Sequence, residues 1–212
     1  MIAYLILAHA HPLQVKRLVE GVSGPHSRCY VHIDAKARLE DFISVLPETT
    51  QVIYVRDRLK VTWGGFNMTL ATLKLMEAAA KDCSTHYVFL SGSDYPIRSQ
   101  QDLCDLLACG NSEFIGMTRM PNTGVPMSRL EYFHIASRHY ASLSLRLLNR
   151  ALQLLPKRNV NRGLMGLKPY CGLSWWCLTD ECVRYILNFV KQHPTFVEFF
   201  GWSKSGDNPR HH

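Results

Sequence analysis

The chain has no apolar run of the roughly 18 to 20 residues that a membrane-spanning helix needs, which excludes such a helix here. Its opening run, Ile2 to Ala8, carries no basic n-region and reads as a first strand, not a signal peptide. Seven cysteines (29, 83, 104, 109, 171, 177 and 182) form no C-x-x-C pair and no zinc spacing. Odd in number and scattered over apolar segments, they suggest reduced thiols and a reducing compartment. Internal repeats, low-complexity stretches and linkers are also missing. The 212 residues therefore read as a single domain, 1–212, large enough for a proper core.

One stretch is short of a whole class of charge. Between Glu131 and Asp180 there is no acidic residue, while Arg138, Arg146, Arg150, Lys157, Arg158, Arg162 and Lys168 lie inside it. The chain holds 24 basic and 17 acidic residues, so these seven account for its whole net charge of +7. Such a segment suits phosphates, anionic lipid headgroups or nucleic acid, or is simply a solvated helix face.

What is present is an alternation of short apolar runs with helical periods. Ile2–Ala8 is continuously apolar, as a strand buried on both faces must be. Val15, Leu18, Val19 and Val22 then keep helical spacing, and Gly21 and Gly24-Pro25 end that helix. Strands are predicted at Cys29–Ile33, Val52–Val55, Tyr87–Leu90, Glu113–Met117 and within Pro169–Thr179. Helices are predicted around Leu39–Val45, over Phe66–Ala80, over Gln100–Cys109, in part of His134–Pro156, and after Asp180. Phe66, Leu70, Leu73 and Glu77 are expected to pack the Phe66–Ala80 helix on the sheet. A stripe of Leu147, Leu148, Ala151, Leu152 and Leu155 is expected on the later one, with Arg146 and Arg150 opposite. Segment 118–135 is turn-rich and receives no assignment. The pattern predicts an α/β domain with a mostly parallel sheet and helices on both faces.

In open α/β sheets, ligands lie beyond the carboxyl ends of the strands. Two acids fall there: Asp34 after Val31-His32-Ile33, and Asp94 after Phe89-Leu90-Ser91-Gly92-Ser93. Asp34 is placed to accept a hydrogen bond from a ribose, or to cap the short helix at 39–45. Gly92 is expected to allow a sharp turn that delivers Asp94, and Ser99 to cap the following helix. Trp63-Gly64-Gly65 offers bare backbone N–H groups and an aromatic wall at a helix start. Trp175-Trp176 is either core mass or a platform for a sugar ring or base. His9 and His11 read as turn residues.

Four blocks occur together: Val31–Lys36; Arg56 with Trp63-Gly64-Gly65; Leu90–Ile97; and Tyr170-Cys171-Gly172 with Trp175–Thr179. In this order and spacing they resemble the core-2/I-branching β-1,6-N-acetylglucosaminyltransferase and peptide O-xylosyltransferase family, glycosyltransferase family 14. The resemblance runs from Ile2 to about Phe200. It implies a GT-A-like nucleotide-sugar-binding fold. It also implies an inverting, metal-independent transfer of N-acetylglucosamine or xylose from a UDP-sugar to a hydroxyl of a glycan or protein. By that resemblance His32, Asp34, Arg56, Trp63, Gly64 and Gly65 would bind the donor. Asp94 would sit near the transferred sugar or acceptor as the catalytic residue, and Trp175 and Trp176 would border the acceptor. By the same resemblance no cofactor and no metal are expected, which agrees with Asp102-Leu103-Cys104-Asp105 falling on a helix and no Asp-x-Asp following a strand. Basic side chains would then stabilise the leaving diphosphate.

The family places its base glutamate in a Pro-Asp-Glu-like motif shortly after the position of Phe199-Phe200, and its later diphosphate-binding arginine and lysine further on. Here residues 203–212 follow without a glutamate, and Asp207 is the nearest relic. The sequence thus reads as truncated, with a non-catalytic UDP-sugar-binding remnant as the alternative to an enzyme. The basic segment suggests peripheral contact with an anionic membrane and a cytoplasmic location at its inner face. A nucleic-acid partner is not expected, since the strand-end acids do not support one.

Overall fold

The computed structural model describes residues 1–62, 65–108, 112–121, 125–135 and 143–203. In chain order the elements are β1 (Ile2–Ala8), α1 (Pro12–Val22), β2 (Ser27–Ile33), α2 (Leu39–Ile43), β3 (Val52–Tyr54), α3 (Asn67–Ala79), β4 (His86–Ser91) and α4 (Gln100–Ala108). Then come β5 (Phe114–Arg119), α5 (Ser128–Glu131), α6 (Leu143–Leu152), α7 (Val160–Gly163), β6 (Tyr170–Thr179), α8 (Asp180–Gln192) and α9 (Pro194–Gly201). The strands form one six-stranded sheet in the order β3-β2-β1-β4-β6-β5. β1 pairs in parallel with β2 and β4, β2 in parallel with β3, and β4 antiparallel with β6. The mixed α/β, mostly parallel architecture expected from the alternation is the one observed.

The chain divides into two compact units. The first holds Met1–Lys60, Ala71–Gly116 and Leu173–Leu187; the second holds Val61–Leu70, Met117–Gly172 and the residues from Asn188 on. In the first unit, successive side chains of a strand point to opposite faces, and the apolar runs are therefore shared between two cores. Ile2, Tyr4, Ile6 and Ala8 of β1, with Cys29, Val31 and Ile33 of β2, pack under α1, α2 and the inner side of α4. Ala3 and Leu5 of β1, with Tyr30, Tyr87 and Phe89, pack under Leu75, Met76 and Ala79 of α3 and Val183 of α8. Helices thus cover both faces, and no residue of β1 between Ile2 and Ile6 exceeds 4% exposure.

Two helical stripes differ from expectation. On α3 the buried residues are Ala71, Leu75, Met76 and Ala79, and Glu77 is exposed. The small Ala71 and Ala79 let the helix lie close to the strands, so the seam falls beside the predicted line of larger residues. On α6 no residue is buried at all. Its inward side carries Asn149, whose side-chain amide donates to the Ile135 carbonyl at 3.1 Å and whose Oδ1 accepts from the Ile135 N–H at 2.8 Å. A polar anchor, not the leucine stripe, sets that helix's orientation.

Within the second unit, Met120, Leu130 and Leu164 form a small core with Phe196, Phe199 and Phe200 beside it. Arg158 is enclosed there. Its guanidinium lies 3.8 Å from the centroid of the Phe199 ring and donates to the Leu130 carbonyl at 3.2 Å, to Ser203 Oγ at 2.9 Å and to the Phe199 carbonyl. Burial pulls its pKa down, yet cation–π contact and carbonyl acceptors keep the cation satisfied. Lys157 pairs with Glu131 at 2.9 Å. Two of the seven basic residues are therefore committed internally.

Helix α4 opens as predicted on a reciprocal cap: Ser99 Oγ accepts from the Asp102 N–H, and Asp102 Oδ2 accepts from the Ser99 N–H, both at 3.1 Å. Cys109, predicted as this helix's last residue, lies outside the described residues.

Gly92 is required for close approach. A Cβ there would sit 2.6 Å from Ala8 Cβ and 3.1 Å from Val15 Cγ2, while its N–H donates to Leu7 O at 2.9 Å. The expected sharp turn needs no left-handed backbone at this position; contact with the end of β1 is what excludes a side chain. Gly92→Ala should lower the free energy of unfolding by about 1–3 kcal/mol through this overpacking. Gly201→Ala, with nothing within 4 Å of the added methyl, should change it by less than about 0.5 kcal/mol. Urea denaturation of the two variants checks the contrast.

Candidate functional site along the carboxyl ends of β1, β2 and β4

The three central strands are parallel, so their carboxyl ends finish at one edge of the sheet. Asp34 follows β2, and its N–H donates to Ala8 O at 2.8 Å, tying it to the end of β1. The residue is 3% exposed. Oδ1 accepts the Lys36 N–H at 2.8 Å, and Oδ2 lies 3.2 Å from Lys36 Nζ. Asp34 therefore shapes its own turn and does not cap α2, whose N-cap is Arg38. A carboxylate has about four lone-pair positions, so acceptor capacity remains beyond these two contacts.

The turn is clamped from the chain after β3. Arg58 Nη1 donates to the Ala37 carbonyl at 3.0 Å and reaches the Asp34 carbonyl at 3.4 Å. Leu59 O accepts from the Ala35 N–H at 3.0 Å, and Leu59 N–H donates to His32 Nε2 at 3.0 Å. His32 is fully buried on β2. Because Nε2 accepts, the proton of the neutral ring is on Nδ1, which has no partner among the described residues. Burial lowers the pKa of His32, keeping the ring neutral.

Arg56, the basic residue singled out from sequence, is exposed and paired with Glu48. Arg58, two residues on, is the one that meets Asp34's turn. The sequence carries a cue for it only in hindsight, as the second arginine of Arg56-Asp57-Arg58 beyond a strand end.

Asp94 follows β4. Its Oδ2 accepts the Ser91 N–H at 2.8 Å and the Trp175 indole N–H at 2.7 Å, and its carbonyl accepts from Gln14 Nε2 at 3.4 Å. Oδ1 has no hydrogen-bond partner among the described residues. Trp175 and Trp176 are neighbours on β6 and so point to opposite faces. Trp175 is 52% exposed and holds Asp94. Trp176 stacks on Phe89 with centroids 5.5 Å apart and an interplanar angle of 17°, inside one of the two cores. The structure thus brings Trp175 to Asp94 and gives Trp176 a packing position.

His11 joins β1 to α1 in the left-handed region, φ 56° and ψ 65°, as the helix N-cap, with His9 exposed beside it. Among the non-glycine residues described, only Met165 shares this backbone. Trp63 and Gly64 lie outside the described residues. Gly65 belongs to the second unit; it is buried, donates to Thr62 O at 2.8 Å and accepts from the Met68 N–H at 3.1 Å in the turn before α3.

No group of three or more His, Cys, Asp or Glu side chains that could hold a metal ion occurs among the described residues. The described cysteines 29, 83, 104, 171, 177 and 182 are free thiols. Burial pushes Cys29 up to about 12 and Cys177 to about 11, so both remain protonated, inert core groups. No described helix is long and apolar enough to cross a membrane.

Trp175→Phe should remove one donor from Asp94 and lower stability by about 1.5–3 kcal/mol, the range for a hydrogen bond to a charged group. In a double-mutant cycle with Asp94→Ala, which removes the acceptor, the two losses should be clearly less than additive, and full additivity would show that the bond is not made. His32 and His86 both have pKa values lowered chiefly by burial. The unfolded chain therefore binds protons that the native state does not once the pH drops below about 6.5, and stability must fall as pH falls. Melting temperatures between pH 7.5 and 5.5 should decline, and His32→Gln should flatten that decline by removing one titrating group.

The family model for the Core-2/I-Branching enzyme matches residues 2–199. The chain is 24% identical over 231 aligned residues to beta-1,3-galactosyl-O-glycosyl-glycoprotein beta-1,6-N-acetylglucosaminyltransferase 4 of Mus musculus, an alignment covering 100% of this chain and 45% of the relative. It is 28% identical over 116 residues to xylosyltransferase oxt of Drosophila melanogaster, covering 50% of this chain and 13% of that protein. The chain thus spans less than half the length of either relative. Among solved structures, a 4-diphosphocytidyl-2C-methyl-D-erythritol synthase from Anaerococcus prevotii superposes with a TM-score of 0.45 at 13% identity, over 98% of this chain and 85% of that one. The match of residues 2–199 takes in β1, β2, β4 and β6 with the acids and tryptophan they position, and on it the chain belongs to the Core-2/I-Branching enzyme family.

Proposed function

We propose that this chain binds a UDP-sugar along the carboxyl ends of β1, β2 and β4, as the donor-binding part of an inverting, metal-independent glycosyltransferase. The sugar is N-acetylglucosamine or xylose, in line with the names of the two relatives. The observation that carries the reading is the pair of strand-end carboxylates, Asp34 and Asp94, on one edge of the sheet, each held by hydrogen bonds.

Asp34 is 3% exposed and its turn is fixed from behind by Arg58, so its remaining lone pairs are preorganised for the donor's ribose hydroxyls. Asp94 keeps Oδ1 for a hydroxyl of the sugar or acceptor, while the Trp175 indole and the Ser91 amide fix Oδ2. An inverting transfer needs a carboxylate on the attacking hydroxyl as the anomeric carbon–diphosphate bond breaks. In this reading cationic side chains, not a metal, meet the departing diphosphate. The exposed ring of Trp175 offers an apolar face to an acceptor sugar beside Asp94. The acceptor is a hydroxyl of a glycan or protein.

A ligand bound by the native state alone raises its melting temperature, by the equivalent of about 2.7 kcal/mol at a hundredfold excess over Kd. UDP, UDP-N-acetylglucosamine and UDP-xylose should each stabilise the chain equally in EDTA and in manganese. Asp34→Asn should weaken all three alike, and Asp94→Asn should spare UDP while weakening the UDP-sugars. Stabilisation that appears only with manganese would overturn the metal-free reading. No stabilisation by any of the three would remove donor binding altogether.

A further inference from the structure

The second unit carries a helix whose outward side has no described partner. On α6, Leu145, Asn149 and Leu152 are half-buried, and Asn149 bonds Ile135. At 100° per residue the side directly opposite presents Leu143 and Leu147, 68% and 60% exposed, with Arg146 and Arg150 alongside. The spacing sets each arginine one turn from a leucine: Arg146 three residues after Leu143, Arg150 three after Leu147. Neither arginine has a carboxylate partner among the described residues, whereas Lys157 nearby is neutralised by Glu131. No acid occurs from residue 132 to 179, and Leu154 is also 87% exposed just past the helix.

We propose that this outward face of α6 docks on an anionic lipid surface. The leucines need an apolar phase, and the arginines, whose aliphatic stems lie along such a surface, need anions at its boundary. A headgroup layer over acyl chains supplies both at the required depth. A nucleic acid would satisfy the arginines and leave Leu143 and Leu147 in water. A second copy of the chain, joined by a two-fold axis, would set Arg146 and Arg150 against the same arginines with no carboxylate between. The inference is independent of donor binding, which concerns the first unit.

The test is cosedimentation of the whole chain with vesicles of phosphatidylglycerol and phosphatidylcholine in equal parts, against phosphatidylcholine alone, at low and high salt. Binding should require the anionic lipid and weaken as salt rises. R146Q/R150Q should lower the partition coefficient about five-fold per charge removed, roughly 25-fold in all. L143S/L147S should abolish sedimentation at either salt. Both pairs lie on the outward face, so each variant should keep the parent's circular dichroism and melting temperature. The proposal fails if neutral vesicles bind equally well, or if both variants sediment like the parent. It also fails if L143S/L147S dissociates a dimer seen by analytical ultracentrifugation, or if a duplex oligonucleotide binds the parent and that variant alike.

Discussion

β1 is hydrogen-bonded to β2 along one side and to β4 along the other, in register from Ile2 to Ala8 with β2 and from Ile2 to Leu7 with β4. A strand in that position has no edge, and with helices over both faces every side chain from Ile2 to Ile6 is buried. Continuous apolarity is the chemical form of that constraint, and alternation divides the same seven residues between two cores. The rest of the first unit follows. Parallel neighbours need crossovers, the crossovers are α1, α2 and α3, and they must cover the faces the strands expose.

The same constraint places the chemistry. Parallel strands finish together, so whatever follows β1, β2 and β4 is gathered at one edge. The backbone there is closely bonded: Asp34 N–H to Ala8 O, and Gly92 N–H to Leu7 O, draw both acid-bearing turns onto the end of β1. Gly92 has no room for a methyl because of that approach. The carboxylates are then oriented by donors of fixed geometry, an indole and backbone amides, and Asp94 makes no ion pair among the described residues. Fixed donors and buried supports of this kind preorganise a polar site where flexible ion pairs would not.

The two units also divide the charge. In the first, cations and anions are matched locally, as in Arg28–Asp82, Lys74–Asp57 and Arg184–Asp180. In the second, the basic residues outnumber available acids, and the chain has two ways of accommodating them. Arg158 is taken inside and given aromatic faces and carbonyl oxygens. Arg146 and Arg150 are left outside, one turn from exposed leucines. Excess charge read from composition is therefore part scaffold and part surface, and only burial separates the parts.

By itself the sequence determined the order of strands and helices in the first unit, since period-two and period-3.6 patterns record which faces are buried. It also determined that Asp34 and Asp94 end strands, because turn chemistry follows each apolar run. It placed the Ser99 cap, whose partner lies three residues on. Tertiary structure alone decided the rest. That Arg58 and not Arg56 braces Asp34 depends on how the segment after β3 folds back on β2. That Trp175 holds Asp94 while Trp176 stacks on Phe89 depends on which face of β6 meets the core. The seam of α3 and the outward leucines of α6 were settled by close approach of alanines and by one half-buried asparagine. Periodicity is local and survives in sequence; choosing between adjacent residues, or between two faces of one helix, needs partners 14 to 81 positions away.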